Sequence, residues 1–227
     1  MSMAINDAYF DRLADTIIDG DDQECVRLIR EGLANKLDPL EGVEKGLVPG
    51  IRQVGDDFGA GVVFLPELTM AAKAMKAGVA ILDEKIKASG ATRISSGKVV
   101  IGTVKGDIHD IGKSLVAAML QANGYDVVDL GVDVDNDSFI EAVVENSADV
   151  LGMSSLLTLP LLQMGKVIEK LDRAGMRTQV KVVVGGCPIT QGFADEIGAD
   201  AVGFDAQDAV VKVDALLGTN RPPLGGG

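Results

Sequence analysis

A chain of 227 residues with 47% hydrophobic content is long enough for one large domain or two small ones and has ample apolar material for a packed core. A formal net charge of −13, from 34 Asp and Glu against 21 Lys and Arg, argues against the clustered basic surface that nucleic acid or an anionic membrane would need as a partner. Cys25 and Cys187 form no CxxC and no disulfide framework, the N-terminus lacks a secretory pattern, and no apolar run is long enough to cross a bilayer, so a cytoplasmic protein with reduced or buried thiols is expected.

From Ile5 to about Ala88 the apolar residues recur at helical spacing between start and stop signals, with almost no β-branched alternation. Four helices are predicted there. The first covers residues 6–19 and ends at Gly20; the second starts under Asp21 and Asp22 and reaches Asn35. The third takes Asp38 as N-cap and Pro39 as its first residue and extends to about Phe58. The fourth follows Gly59-Ala60-Gly61 and covers 65–87, with Leu68, Ala71, Ala72, Met75 and Val79 sharing a face. Short connections favour antiparallel neighbours, so residues 1–90 are expected to form a four-helix bundle.

The stretch from Ser89 to Gly97 is small and polar, which marks a domain boundary with a linker over 91–97. Beyond it, strands at 98–104, 125–130, 149–154, 179–184 and 200–204 alternate with helices at 112–122, 137–146, 160–173, 190–197 and 206–217. Five βα units predict an α/β domain over 98–218, a doubly wound, flavodoxin- or Rossmann-like parallel sheet of five strands. In the order 2-1-3-4-5, strands one and three meet at the switch point, and a ligand enters outside their carboxyl ends. The tail over 219–227 is expected to be disordered.

The loop after the first strand, Gly102 to Ser114, holds the only histidine of the chain, His109. A phosphate loop is excluded by spacing, since five residues separate Gly106 from Gly112-Lys113-Ser114 where a Walker A motif needs four, and two of the five are carboxylates. A metal site from His109, Asp107 and Asp110 lacks the second or third histidine of a catalytic zinc centre. Two readings remain: a histidine that satisfies a loop hydrogen bond, or a single axial ligand to a metal held by a macrocycle, with Asp107 fixing its tautomer.

Asp107-x-His109-x-x-Gly112 resembles the DxHxxG signature of cobalamin-binding domains. Ser154-x-Leu156 follows after 41 residues and Gly185-Gly186 after a further 28, in the family's order and close to its intervals. Residues 98–217 thus resemble the cobalamin-binding Rossmann-like domain. Residues 1–90, with Phe64-Leu65-Pro66-Glu67-Leu68, resemble the helical cap that precedes it in cobalamin-dependent methionine synthase and in methyltransferase-cognate corrinoid proteins; the two-domain length matches the second group.

The resemblance implies a bound cobalamin or related corrinoid, methylcobalamin among its forms, with His109 as lower ligand to cobalt and Asp107 as its hydrogen-bonded partner. That pair is expected to perform the chemistry, the ligand leaving and the pair taking up a proton as the methyl group departs. Gly106, Ile108, Asp110, Ile111 and Gly112 are implied as the rest of the cofactor loop. Ser154 and Thr158 would face the inserted benzimidazole arm, Leu156 would contact it, and Gly185, Gly186 and Gly203 would leave room for it. Phe64 is the candidate cover for the upper face, with Leu68 and Ala71 behind it. Where methionine synthase has a serine that extends the relay, this chain has Pro160, so no third member comes from there.

The implied role is a non-catalytic methyl carrier. Its partners would be a substrate-specific methyltransferase, which sets the methyl donor, a corrinoid:coenzyme M or corrinoid:tetrahydrofolate methyltransferase, and a reductive activase. A phosphoacceptor receiver domain shares the topology but needs an aspartate ending strand three, where Ser154-Ser155 stand, and a lysine near the end of strand five, where Phe204-Asp205 stand. A cobalamin-dependent regulator needs an output module, for which the acidic N-terminal half has no basic recognition helix. A mutase subunit would use the same sheet domain with a catalytic barrel and no cap.

Overall fold

The computed structural model describes residues 5–88 and 95–219. The chain divides into two compact units, one built from the helices before Ser95 and one from the sheet-bearing stretch after it. Most of the expected linker over 91–97, and nearly all of the expected tail over 219–227, lie outside the described residues.

Polar caps set the first boundaries of the helical unit. α1 (Asp7–Ile18) starts under Asn6, which accepts the Tyr9 N–H at 3.1 Å, and the chain leaves it through Gly20 at φ +67°. α2 (Asp22–Ala34) starts under Asp21, which accepts the Glu24 N–H at 2.9 Å. Leu13, Ile17, Leu28 and Ile29 are fully buried, and the Tyr9 hydroxyl donates to the Leu28 carbonyl at 3.1 Å, tying α1 to α2.

The third helix departs from the expectation. Asp38 caps α3 (Pro39–Glu41) as predicted, but a π-helical stretch, Gly42–Leu47, intervenes before α4 (Val48–Gly59). Pro49 accounts for it. A proline inside a helix has no N–H to donate, and its ring presses on the carbonyl four residues earlier, so a regular ladder cannot pass through it. The Val48 N–H reaches back five residues, to the Val43 carbonyl. α5 (Leu65–Ala88) buries Leu68, Ala71, Ala72 and Met75, leaves Val79 half-buried, and continues the stripe with Leu82 and Ile86.

In the second unit β1 (Lys98–Thr103), β2 (Asp126–Asp129), β3 (Val150–Ser154), β4 (Lys181–Gly185) and β5 (Ala201–Gly203) alternate with α6 (Ile111–Ala122), α7 (Asn136–Asn146), α8 (Leu161–Arg173), α9 (Gln191–Ile197) and α10 (Ala206–Leu217). The strands form one parallel sheet in the predicted order, β2-β1-β3-β4-β5. Runs such as Val99-Val100-Ile101 and Val182-Val183-Val184 suit strands covered on both faces. Register places Thr103 beside Ser154, Ser154 beside Gly185, and Gly185 beside Gly203, so four strand ends meet at one carboxyl edge. A dense core of Phe139, Leu151, Met164, Val167 and Leu171 fills the side of α7 and α8. Gly102 has no side chain because the Phe139 ring lies against it: a Cβ there would be 2.8 Å from Cε1.

Among the described residues no helix is long and apolar enough to cross a membrane. Both cysteines are free thiols, Cys25 buried and Cys187 exposed.

Candidate functional site

The chain leaves β1 through a tight turn over residues 104–107. The Asp107 N–H donates to the Val104 carbonyl at 3.1 Å, and Gly106 takes φ +89° at the third place of a type II turn. The turn sends the Asp107 side chain wholly into the interior, where an ionised carboxylate persists only if its oxygens are satisfied. They are. Oδ1 accepts the His109 backbone N–H at 3.0 Å and lies 2.6 Å from His109 Nδ1. Oδ2 accepts the Ser155 hydroxyl at 2.7 Å, the Leu156 N–H at 2.7 Å and the Leu157 N–H at 3.2 Å.

Burial alone would raise the pKa of Asp107. The hydrogen bonds from the His109 N–H, the Ser155 hydroxyl, the His109 ring and the Leu156 N–H outweigh it and hold the carboxyl well below the usual range. An ionised Asp107 can only accept, so the proton in this contact sits on His109 Nδ1, and Asp107 leaves Nε2 unengaged. The ring itself is half exposed, and the Thr103 hydroxyl fixes the His109 main chain by donating to its carbonyl at 2.9 Å.

A cavity of about 620 Å³ opens beside His109 and runs under α6 and α10, reaching back to Val99 and Val150 near the start of β1 and β3. This face of the sheet is hollow where the other is filled. Its walls are apolar, with Ile101, Val116, Val183 and Val213 among them, while Ile108, Ile111, Leu156 and Phe204 stand exposed around its mouth. Lys113 also lines it, a nearly buried cation whose ammonium pairs with Asp129.

Of the residues singled out in the sequence, Ile108, His109, Asp110, Ile111, Gly112, Ser154, Leu156, Gly185, Gly186 and Gly203 all line this cavity. Asp107 lies behind it, under His109, and Gly106 shapes the turn. Thr158 stands exposed and does not line the cavity; its carbonyl accepts the Leu161 N–H at the start of α8. The chain's own packing also constrains the glycines. A Cβ at Gly186, where φ is +134°, would lie 1.9 Å from the Ser155 carbonyl oxygen; at Gly185 it would lie 3.1 Å from the Gly203 oxygen, and at Gly203 2.8 Å from Ala209 Cβ. The chain's own close approaches exclude the side chains.

Phe64, in the helical unit, is 67% exposed, and its N–H donates to Glu67 Oε2 at 3.1 Å. Leu68 and Ala71 are wholly buried.

Three contributors went unread in the sequence: Thr103, Lys113 and Ser155. Ser155 had a signal. Adjacent residues at a strand end point to opposite sides, so a Ser154 facing the cavity leaves the Ser155 hydroxyl facing the carboxylate. Ser155 donates to Asp107 in the way Pro160 cannot. Among the described residues no group of three or more His, Cys, Asp or Glu is placed to hold a metal ion. One half-exposed imidazole with a free Nε2, at the mouth of a long apolar slot, fits instead a metal that arrives in its own macrocycle.

The B12 binding domain family matches residues 97–214, and a second family of the same description matches residues 9–83. The trimethylamine corrinoid protein of Methanosarcina barkeri is 42% identical over 215 residues, 95% of this chain and 99% of that protein. A corrinoid protein of Desulfitobacterium hafniense is 44% identical over 212 residues, 93% of this chain and 98% of that protein. Among solved structures, the methanol:cobalamin methyltransferase complex MtaBC from Methanosarcina barkeri matches with a TM-score of 0.83 at 31% identity, covering 96% of this chain and 83% of that one.

Proposed function

The chain belongs to the family of B12-binding corrinoid proteins, and from that premise we propose that it is a methyl carrier. It accepts a methyl group on a bound cobalamin or related corrinoid from a substrate-specific methyltransferase and delivers it to a second methyltransferase acting on coenzyme M or tetrahydrofolate. The partner enzyme selects the methyl donor, a reductive activase restores the carrier, and the exchange takes place in the cytoplasm. Relatives named for trimethylamine and dimethylamine, and a match in a methanol complex, support a carrier whose scaffold is independent of the donor.

When bound, the corrinoid supplies the cobalt that takes up and releases the methyl group. The protein supplies the rest. His109 would hold the cobalt through Nε2, with Asp107 orienting the ring through its contact with Nδ1. Ser155 and the Leu156 N–H keep Asp107 ionised and in place. The cavity would receive the nucleotide arm, with Ser154, Leu156, Gly185, Gly186 and Gly203 lining it, and Ile108, Ile111 and Phe204 would offer the macrocycle an apolar seat.

The observation that carries this reading is the 2.6 Å contact between the buried Asp107 carboxylate and Nδ1 of His109, a residue that lines a cavity of about 620 Å³. The test is reconstitution of the full chain with cobalamin. The wild-type cobalt(II) form should show nitrogen splitting from His109 in its electron paramagnetic resonance spectrum. His109→Gly should bind cofactor, lose that splitting and shift the visible spectrum. A spectrum unchanged by His109→Gly would overturn the ligand assignment, and a preference for the adenosyl form would favour a regulator or mutase subunit.

A further inference from the structure

The loop that bears His109 is gripped from outside by a residue that belongs neither to the cavity nor to the core. Asp133, between β2 and α7, sits at φ +53°, a left-handed conformation that an aspartate adopts only with support. Its side chain is 46% exposed, so burial does not keep it there. Asp133 Oδ1 accepts the Gly106 N–H at 2.8 Å, Oδ2 pairs with Lys105 Nζ at 3.1 Å, and the Asp133 N–H donates to the Asp107 carbonyl at 2.9 Å. Three consecutive residues of the turn, Lys105, Gly106 and Asp107, each give a contact to this one aspartate. The next residue ties the grip to the sheet: the buried Val134 donates its N–H to the Thr103 carbonyl at 3.0 Å and bridges Val104.

We propose that Asp133 is a positioning residue for the His109–Asp107 pair. By clasping the type II turn through the Gly106 N–H and the Asp107 carbonyl, it sets the direction in which Asp107 enters the interior, and through Asp107 it decides which ring nitrogen of His109 faces the cavity. The side-chain grip and the backbone grip hold opposite sides of the same turn, so loss of the carboxylate frees the Lys105–Gly106 side of the turn while the Asp107 carbonyl and carboxylate stay bound, and the turn can tilt about Asp107. The claim concerns the protein before any cofactor is bound; only its consequence for cobalt rests on the proposed function.

Two substitutions separate the carboxylate from the backbone. Asp133→Gly keeps the left-handed conformation and the N–H donor and removes the carboxylate. Asp133→Asn keeps an acceptor for Gly106 and tolerates the same φ, and loses only the ion pair. His109 is the only histidine of the chain, so its ring nitrogens give a single, unambiguous pair of signals in a long-range ¹H–¹⁵N spectrum of the full-length protein without cofactor, read at one fixed pH. The wild type should show the form protonated at Nδ1. Asp133→Gly should raise the share of the Nε2-protonated form about three- to tenfold, the size expected for the net loss of one ordinary, solvent-exposed hydrogen bond, and Asp133→Asn should return it to within about twofold of wild type. Wild-type signals in Asp133→Gly, or equal disturbance in both variants, would overturn the proposal. Loading with cobalamin then tests the two readings apart. A tautomer shift in Asp133→Gly together with a wild-type holo-protein lacking any His109 nitrogen on cobalt would leave the clasp standing and remove the ligand assignment.

Discussion

Asp107 is a full charge in the interior, and it is tolerated because every lone-pair direction has a donor. Five donor contacts, from the His109 N–H, the His109 ring, the Ser155 hydroxyl and the Leu156 and Leu157 N–H groups, replace the water it lost. Three of the five come from the segment after β3, so the position of that segment governs the charge. Gly186 holds the segment from behind. With a Cβ 1.9 Å from the Ser155 oxygen and φ at +134°, Gly186→Ala must both strain its own backbone and push residue 155 toward β1. It should cost about 4 kcal/mol, read as a lower urea midpoint at unchanged slope, and should perturb the His109 ring signals although no atom of His109 is altered.

At the scale of elements, small residues decide how closely helices pack. Gly46 and Gly50 let α1 lie against the helix that contains Pro49, since a Cβ would be 2.5 Å from Leu13 Cδ2 at the first and 2.5 Å from the Ala14 carbonyl at the second. The helix-propensity gain of Gly50→Ala, about 1 kcal/mol, is therefore overridden by a clash with backbone that cannot swing away, for a net loss of about 2 kcal/mol in thermal or urea unfolding. Gly192→Ala, in α9, meets nothing closer than Thr190 Oγ1 at 4.0 Å and should stabilise by about 0.5 kcal/mol in the same measurement. The third helix also shows where periodicity misleads. Apolar spacing runs through residues 39–58 without a break, because a π-helical stretch shifts the register only locally; the one sign of it was a proline ten residues into the run.

For the whole molecule, alkali is the sharpest probe of the helical unit. Burial pushes the Cys25 thiol from 9.0 up to about 11, and burial with Cys25 and Glu31 nearby pushes the Tyr9 hydroxyl up to about 12. Both groups are neutral in the folded state and ionise sooner in the unfolded chain. Their contribution is complete below pH 9 and is lost as pH rises through 11 and 12, about 3 kcal/mol of it from Cys25. The melting temperature should fall steadily above pH 9, and Cys25→Ala should flatten the first part of that fall. The fold was legible because it rests on local chemistry. Asn6, Asp21 and Asp38 cap helices wherever they stand, five valine-rich runs between helical periods make a parallel sheet, and that sheet can hold its loops at only one edge. His109, Asp107 and the cavity-lining glycines were singled out in the sequence through the resemblance of their motifs and intervals to those of a known family. Strand alternation could give the side on which Ser155 points, but not its contact with Asp107, 48 residues away, nor that of Asp133 with Gly106, 27 residues away, for no periodicity records a contact across a sheet edge. The order of residues determined which groups stand at the carboxyl edge. Only tertiary structure decided which of them touch, because a hydrogen bond depends on tenths of an ångström between backbones that the fold, and not the chain, brings together.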